Sequence, residues 1–173
     1  MKKALINYIQ HDKYDEIYTP SYAIKPLLDY IPKGITVWEC CDFGKSEITR
    51  SLKEHGCKVI STGKEEDFFT YLPDKYDMII TNPPYSLKDE FLERCYKLGK
   101  PFCLLLPITA LEGKRRGKLF REYGIELLVF DGRVQFLKYM GLKKGNGNWF
   151  NTSWFCWKVL PYDLMFEELR EDE

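Results

Sequence analysis

An apolar, β-branched run, Asp77-Met78-Ile79-Ile80-Thr81, breaks off into Asn82-Pro83-Pro84-Tyr85. The run reads as a short buried strand. Neither proline has an N–H to donate, so the strand must stop there. Each residue ahead of a proline is also pushed out of the helical region. The outcome is a stiff, extended loop that holds an amide and an aromatic ring at its tip. In open α/β sheets, ligands bind at the carboxyl ends of strands, where this loop falls.

The surrounding elements must hold that loop in place. Residues 35–40 read as a first strand, entered through Pro32 and Gly34, and residues 41–46 as the turn after it. A helix over 46–55 is closed by Gly56, and residues 57–61 form a second strand. After the Asn-Pro-Pro-Tyr loop, residues 88–98 form a helix with Phe91, Leu92, Cys95, Tyr96 and Leu98 on one face. Residues 101–107 are continuously apolar, as a strand buried on both faces of a parallel sheet is. A helix over 111–123, a strand over 125–130 and a final strand over 152–160 complete the alternation, which predicts a doubly wound α/β fold. Ahead of the first strand, Thr19 is expected to cap a helix that begins at Pro20 and carries Ala23, Ile24, Leu27 and Leu28 as its stripe. Pro26 fits that helix only within its first turns, or if the helix starts later.

With the strand before it and the helix after it, Asn82-Pro83-Pro84-Tyr85 resembles motif IV of the S-adenosylmethionine-dependent amino-methyltransferases. That motif occurs in enzymes acting on adenine N6 of DNA or RNA and on protein glutamine. The resemblance spans roughly residues 18–160 and is nearest to the small bacteriophage-type DNA adenine methyltransferases. It implies a Rossmann-like class I methyltransferase fold, mostly parallel, with an antiparallel last strand. It implies S-adenosylmethionine as methyl donor, no metal, and DNA as partner, with RNA as the alternative. In this reading the Asn82 side-chain oxygen and the Pro83 carbonyl accept the two N–H groups of the target amine. Those bonds strengthen as charge develops on nitrogen. The Pro83-Pro84 backbone fixes both acceptors, and Tyr85 offers a face to a flipped base.

The same resemblance assigns the cofactor contacts. Thr19 and Pro20 match the segment beside the methionine part. Glu39 and Cys40, with Gly44 in the turn, stand where the glycine loop should be, but the family's loop carries at least two glycines. After the second strand the family places an acid for the ribose; this chain has Thr62-Gly63-Lys64 there. Asp67 and Phe68 match an Asp-Phe signature beside the cofactor adenine, with a turn and core aromatics as the competing reading. Asn82 also borders the cofactor. For the substrate, Lys114, Arg115 and Arg116 are candidates for phosphate contacts, against the plainer reading of a solvated helix face. Trp149 and Phe150 stand where the family packs aromatics on the flipped base.

Length and composition set the outer limits. A chain of 173 residues suits one domain, with its core at about 18–160 and an acidic tail at 167–173. It leaves no room for a separate target-recognition domain. The net charge is zero, which argues against coating nucleic acid by bulk charge. The last seven residues carry five acids and one arginine, so the body without them is +4. That tail is expected to fray in solvent. No run is long enough to span a membrane, and the start of the chain is too short on apolar residues for a signal peptide. Six cysteines without Cys-x-x-Cys spacing read as reduced core residues of a cytoplasmic protein, in a bacterial or phage-infected cell. Two other readings remain beside adenine methylation in DNA. One is the same chemistry on RNA adenine or protein glutamine; the other is a degenerate methyltransferase fold serving as a binding module.

Overall fold

A computed structural model describes residues 17–44, 46–63, 65–138 and 151–170. Nine strands and four helices are described: β1 (Ile17–Tyr18), α1 (Lys25–Leu28), β2 (Thr36–Asp42), α2 (Glu47–His55), β3 (Lys58–Gly63), β4 (Met78–Thr81), α3 (Lys88–Leu98), β5 (Phe102–Pro107), α4 (Lys114–Tyr123), β6 (Glu126–Phe130), β7 (Leu137–Lys138), β8 (Thr152–Trp157) and β9 (Leu164–Glu167). Seven strands form one sheet in the order β3-β2-β4-β5-β8-β6-β9. β1 and β7 form a separate two-residue antiparallel ladder. Within the large sheet β8 alone runs against its neighbours, wedged between β5 and β6.

The order reverses once near the start. From β2 the chain steps to β3 on one side, then returns to place β4 on the other. The crevice outside the carboxyl ends of β2 and β4 is therefore a topological switch point.

Apolar side chains fill both faces of the sheet. On one, Ile48 and Leu52 of α2 pack with Leu27, Val37, Ile80, Leu105 and Trp154. On the other, Phe91, Leu92 and Cys95 of α3 pack with Trp38, Ile79, Leu104 and Phe155. Helices on both faces are what the continuous apolar strands require. β5 is buried along its whole length, and Trp154 on β8 donates its indole N–H to the Ala23 carbonyl at 2.8 Å.

Three expectations change. The first helix does not start at Pro20: Pro20 precedes a single 3₁₀ turn over Ser21–Ala23, and α1 begins at Lys25, with Pro26 at its amino end where no N–H is needed. A further strand, β9, follows the strand expected to be last and pairs in parallel with β6. The start of the acidic tail is consequently held rather than frayed: Tyr30 Oη donates to Glu167 at 2.7 Å, and the Leu169 N–H to Asp131 at 2.9 Å. The turn before β9 is drawn in by Glu126, whose carboxylate accepts the main-chain N–H groups of Lys158, Val159 and Leu160 at 2.7–2.9 Å. Among the described residues no helix is long and apolar enough to cross a membrane.

Candidate active site

Glu39 is the hub of the switch point. It lies on β2 beside β4 and is 1% exposed. Its Oε1 accepts the Thr81 hydroxyl at 2.5 Å and the Cys41 N–H at 2.9 Å; its Oε2 accepts the Ser46 hydroxyl at 3.2 Å. One carboxylate thus ties the end of β2, the start of α2 and the last residue of β4, next to Asn82. Burial drives its pKa up from 4.5 to about 7, against the hydrogen bonds from Thr81, Cys41 and Ser46, with neighbouring Asp42 adding to the rise.

The turn after β2 is built on Asp42 rather than on glycines. One oxygen of Asp42 accepts the N–H groups of Gly44 at 2.7 Å and Ser46 at 3.3 Å. The other accepts the Thr49 hydroxyl at 2.6 Å. Ser46 then caps α2 by accepting the Thr49 N–H at 3.3 Å. Gly44 has φ +103 and open space where a Cβ would sit. The second glycine of this corner comes from β3: a Cβ on Gly63 would stand 3.1 Å from the Asp42 nitrogen and 3.2 Å from the Cys40 carbonyl oxygen. Sequence reasoning missed Asp42, although Asp42-Phe43-Gly44-Lys45-Ser46 carries the signature of an Asp side chain bonding its own backbone two residues on.

Asn82 follows β4, with Pro83 and Pro84 buried behind it. Its Oδ1 is buried and has no hydrogen-bond partner among the described residues. Such atoms are rare, because leaving one unmade costs about 1–3 kcal/mol. Tyr85 opens a 3₁₀ turn, lies half-buried between the two core clusters, and meets Phe136 edge-on at 6.5 Å. Lys88 Nζ closes that turn on the Tyr85 carbonyl at 3.1 Å.

The other candidates are placed as follows. Thr19 and Pro20 are buried just ahead of the first 3₁₀ turn. Cys40 is buried, and burial pushes its thiol pKa well up, so it sits as a neutral core residue. Near the end of β3, Thr62 accepts the Trp38 indole N–H at 2.8 Å and so serves core packing. Asp67 accepts the Phe69 N–H at 2.9 Å through its side chain and the Tyr71 N–H at 2.8 Å through its carbonyl, as a turn former does. Phe68 is fully buried, stacked on Phe91 at 4.4 Å with the Arg94 guanidinium 5.3 Å from its ring. In this arrangement its ring packs as a core aromatic.

Arg115 and Arg116 stand opposite acidic residues of α3. Arg115 donates to Glu93 at 2.6 Å and Glu90 at 3.2 Å; Arg116 donates to Asp89 and to the Ala110 carbonyl, the latter at 2.7 Å. Their guanidinium groups brace α4 against α3, Arg116 from a largely covered position and Arg115 with 45% of its side chain exposed. Lys114 remains exposed. Trp149, Phe150 and all but the first residue of the glycine- and lysine-rich segment 138–148 lie outside the described residues.

No family model matches the sequence. Over 59 residues the chain is 36% identical to the type II methyltransferase M.EcoRI of Escherichia coli, a stretch covering 34% of this chain and 18% of that protein. The methyltransferase subunit of a type I restriction-modification system from Streptococcus thermophilus superposes with a TM-score of 0.52 at 16% identity, over 94% of this chain and 49% of that one. A chain from a structure of type I restriction-modification complex assembly gives 0.51 at 14% identity, over 90% and 45%. The chain thus spans about half the length of the structures it superposes on. Its fold is the Rossmann-like fold of class I methyltransferases.

Proposed function

We propose that this chain transfers a methyl group from S-adenosylmethionine to the N6 amine of adenine in DNA. The observation that carries this reading is the buried, unpartnered Oδ1 of Asn82 at the switch point. Folding leaves that oxygen without a bond among the described residues. An exocyclic amine supplies the missing donor.

S-adenosylmethionine supplies an electrophilic methyl group on a sulfonium centre. The residues here fit it in three respects. Glu39 is a buried carboxylate at the switch point, a charge suited to a cationic donor nearby. Gly44 leaves open space above the β2–α2 turn. The amino end of α2 is set against the same crevice by Ser46 and Asp42. In this reading Asn82 and the Pro83 carbonyl hold the two amine hydrogens, which draws electron density onto nitrogen and orients its lone pair. Their pull grows as the nitrogen becomes positive, so it lowers the barrier rather than merely binding substrate. Tyr85 stacks on the base, and exposed Lys114 is placed for phosphate.

The similarity to M.EcoRI and to restriction-modification subunits supports DNA over protein as acceptor. Calorimetric titration with S-adenosylmethionine, followed by labelled methyl incorporation into DNA, RNA and protein, tests the reading. One-to-one binding with label in DNA N6-methyladenine is expected. Absence of cofactor binding both with and without DNA would instead support the non-catalytic module.

A further inference from the structure

A second buried oxygen lacks a partner. Thr152, the first residue of β8, is 2% exposed, and its hydroxyl has no hydrogen-bond partner among the described residues. A hydroxyl can turn to suit almost any neighbour, so a buried one left unbonded is harder to explain as packing than an amide would be.

Its place in the sheet gives it a direction. β8 runs antiparallel to β5, so Thr152, at the start of β8, lies opposite Pro107 at the carboxyl end of β5. It therefore stands at the same edge as the Asn82 loop. Alternation along β8 puts Thr152 on the face of Trp154 and Cys156, both in the cluster that contains Ile80. Asn82 is two residues after Ile80, just past the end of β4. Thr81 pairs with Leu104, so Asn82 is level with Leu105, two strands and two residues away from Thr152. Strand spacing puts the two Cα atoms about 12 Å apart. A flat heterocycle held between the two side chains would span that distance. Tyr85 and Phe136 pack into the same cluster.

We infer that the Thr152 hydroxyl is a base-recognition group: it donates to a ring nitrogen of the adenine whose N6 is held by Asn82. This rests on the adenine reading above and adds to it a second anchor on a different strand. One acceptor and one donor at the two ends of the gap fix the base in its plane. They also select a base that carries an amine and a ring nitrogen together.

The test is Thr152→Val, which keeps the shape and removes the hydroxyl, with Thr152→Ser as the rescue. With the full chain and methyl transfer to DNA as readout, Thr152→Val is expected to lower kcat/KM about tenfold, the worth of one hydrogen bond at a reacting base. S-adenosylmethionine affinity should stay within twofold, and thermal stability should hold or rise, because an unbonded buried hydroxyl is gone. Thr152→Ser should restore most of the rate. Oligonucleotides with 1-deaza-, 3-deaza- or 7-deaza-adenine at the target locate the acceptor: one of them should slow the natural protein about tenfold and Thr152→Val hardly further. A natural protein that methylates DNA with kcat/KM unchanged in Thr152→Val overturns the inference alone. Equal loss of cofactor affinity in the valine variant, or additive losses with all three analogues, overturns it as well. A natural protein that labels no adenine overturns the adenine reading and this inference with it.

Discussion

Glu39→Gln separates what the active-site carboxylate costs the fold from what it does for binding. Glu39 is buried and its pKa stands at about 7 instead of 4.5. Below about pH 4.5 it is protonated in the folded and the unfolded chain, and no charge is buried. Between 4.5 and 7 the unfolded chain ionises it while the folded chain keeps the proton, so stability falls as pH rises. Above 7 it is ionised in both states, and the full cost of the buried charge is present. At about 1.36 kcal/mol per pH unit, the interval amounts to about 3 kcal/mol. A glutamine keeps the acceptor for Cys41 N–H and Thr81 hydroxyl, and its amide can donate to Ser46, so the network survives without a charge. The variant should match the natural protein near pH 4.5 and exceed it by about 3 kcal/mol at pH 8. Urea denaturation at pH 5, 6, 7 and 8 measures this as the difference between the two proteins, in which every other titrating group cancels. A difference that stays flat with pH would refute the reasoning, whatever its size. Under the proposed function the same substitution should weaken S-adenosylmethionine binding at least tenfold, since it removes the carboxylate proposed to sit beside the cation. In the natural protein, affinity should fall as pH drops from 8 to 6, because Glu39 must release its proton to meet that charge.

Asn82→Ala should lower the methyl-transfer rate about 10²–10³-fold while leaving calorimetric cofactor affinity within threefold, the pattern of a contact made in the transition state; wild-type turnover would remove Asn82 from the mechanism. Gly63→Ala should destabilise the protein by about 2 kcal/mol in urea titration, because φ is +129 and the new Cβ meets the backbone of Cys40–Asp42; an unchanged midpoint would show that the β2–α2 corner yields freely. Arg115→Ala should cost under about 1 kcal/mol, since its side chain is 45% exposed, and should leave the salt dependence of DNA binding unchanged; a shallower slope would return Arg115 to phosphate contact.

The parts of this molecule that could be read from sequence are those whose causes are local. Two prolines end β4 by themselves, whatever packs around them. A continuous apolar stretch over 101–107 announces a strand buried on both faces, and Gly56 and Gly99 close α2 and α3 with φ of +106 and +70. The partners of Arg115 and Arg116 could not be read from the basic run itself, because Asp89, Glu90 and Glu93 are more than twenty residues away on another helix. A basic run looks the same whether it faces phosphate or a neighbouring acidic face. β9 was hidden for a related reason. It is four residues long with two exposed apolar side chains, Leu164 and Phe166, and its register is set by β6 rather than by its own pattern. Phe68 was ambiguous until Phe91 and Arg94 were seen on its ring.

The single-glycine turn shows how a missing motif residue can be replaced from outside the motif. A phosphate- or cofactor-facing turn needs small residues so that the backbone can come close, and it needs its N–H groups held in order. Here the two requirements are met separately. Gly44 leaves open space within the turn, and Gly63, nineteen positions later in the chain, lets β3 lie close against the backbone of Cys40–Asp42, where β3 shifts register against β2 between Glu39 and Asp42. Order is met by the Asp42 carboxylate, which gathers two N–H groups and a hydroxyl. Counting glycines in the turn therefore understates what the turn can do. Gly63 and Asp42, packed into the same corner, are features of this turn that a count of its own glycines leaves out.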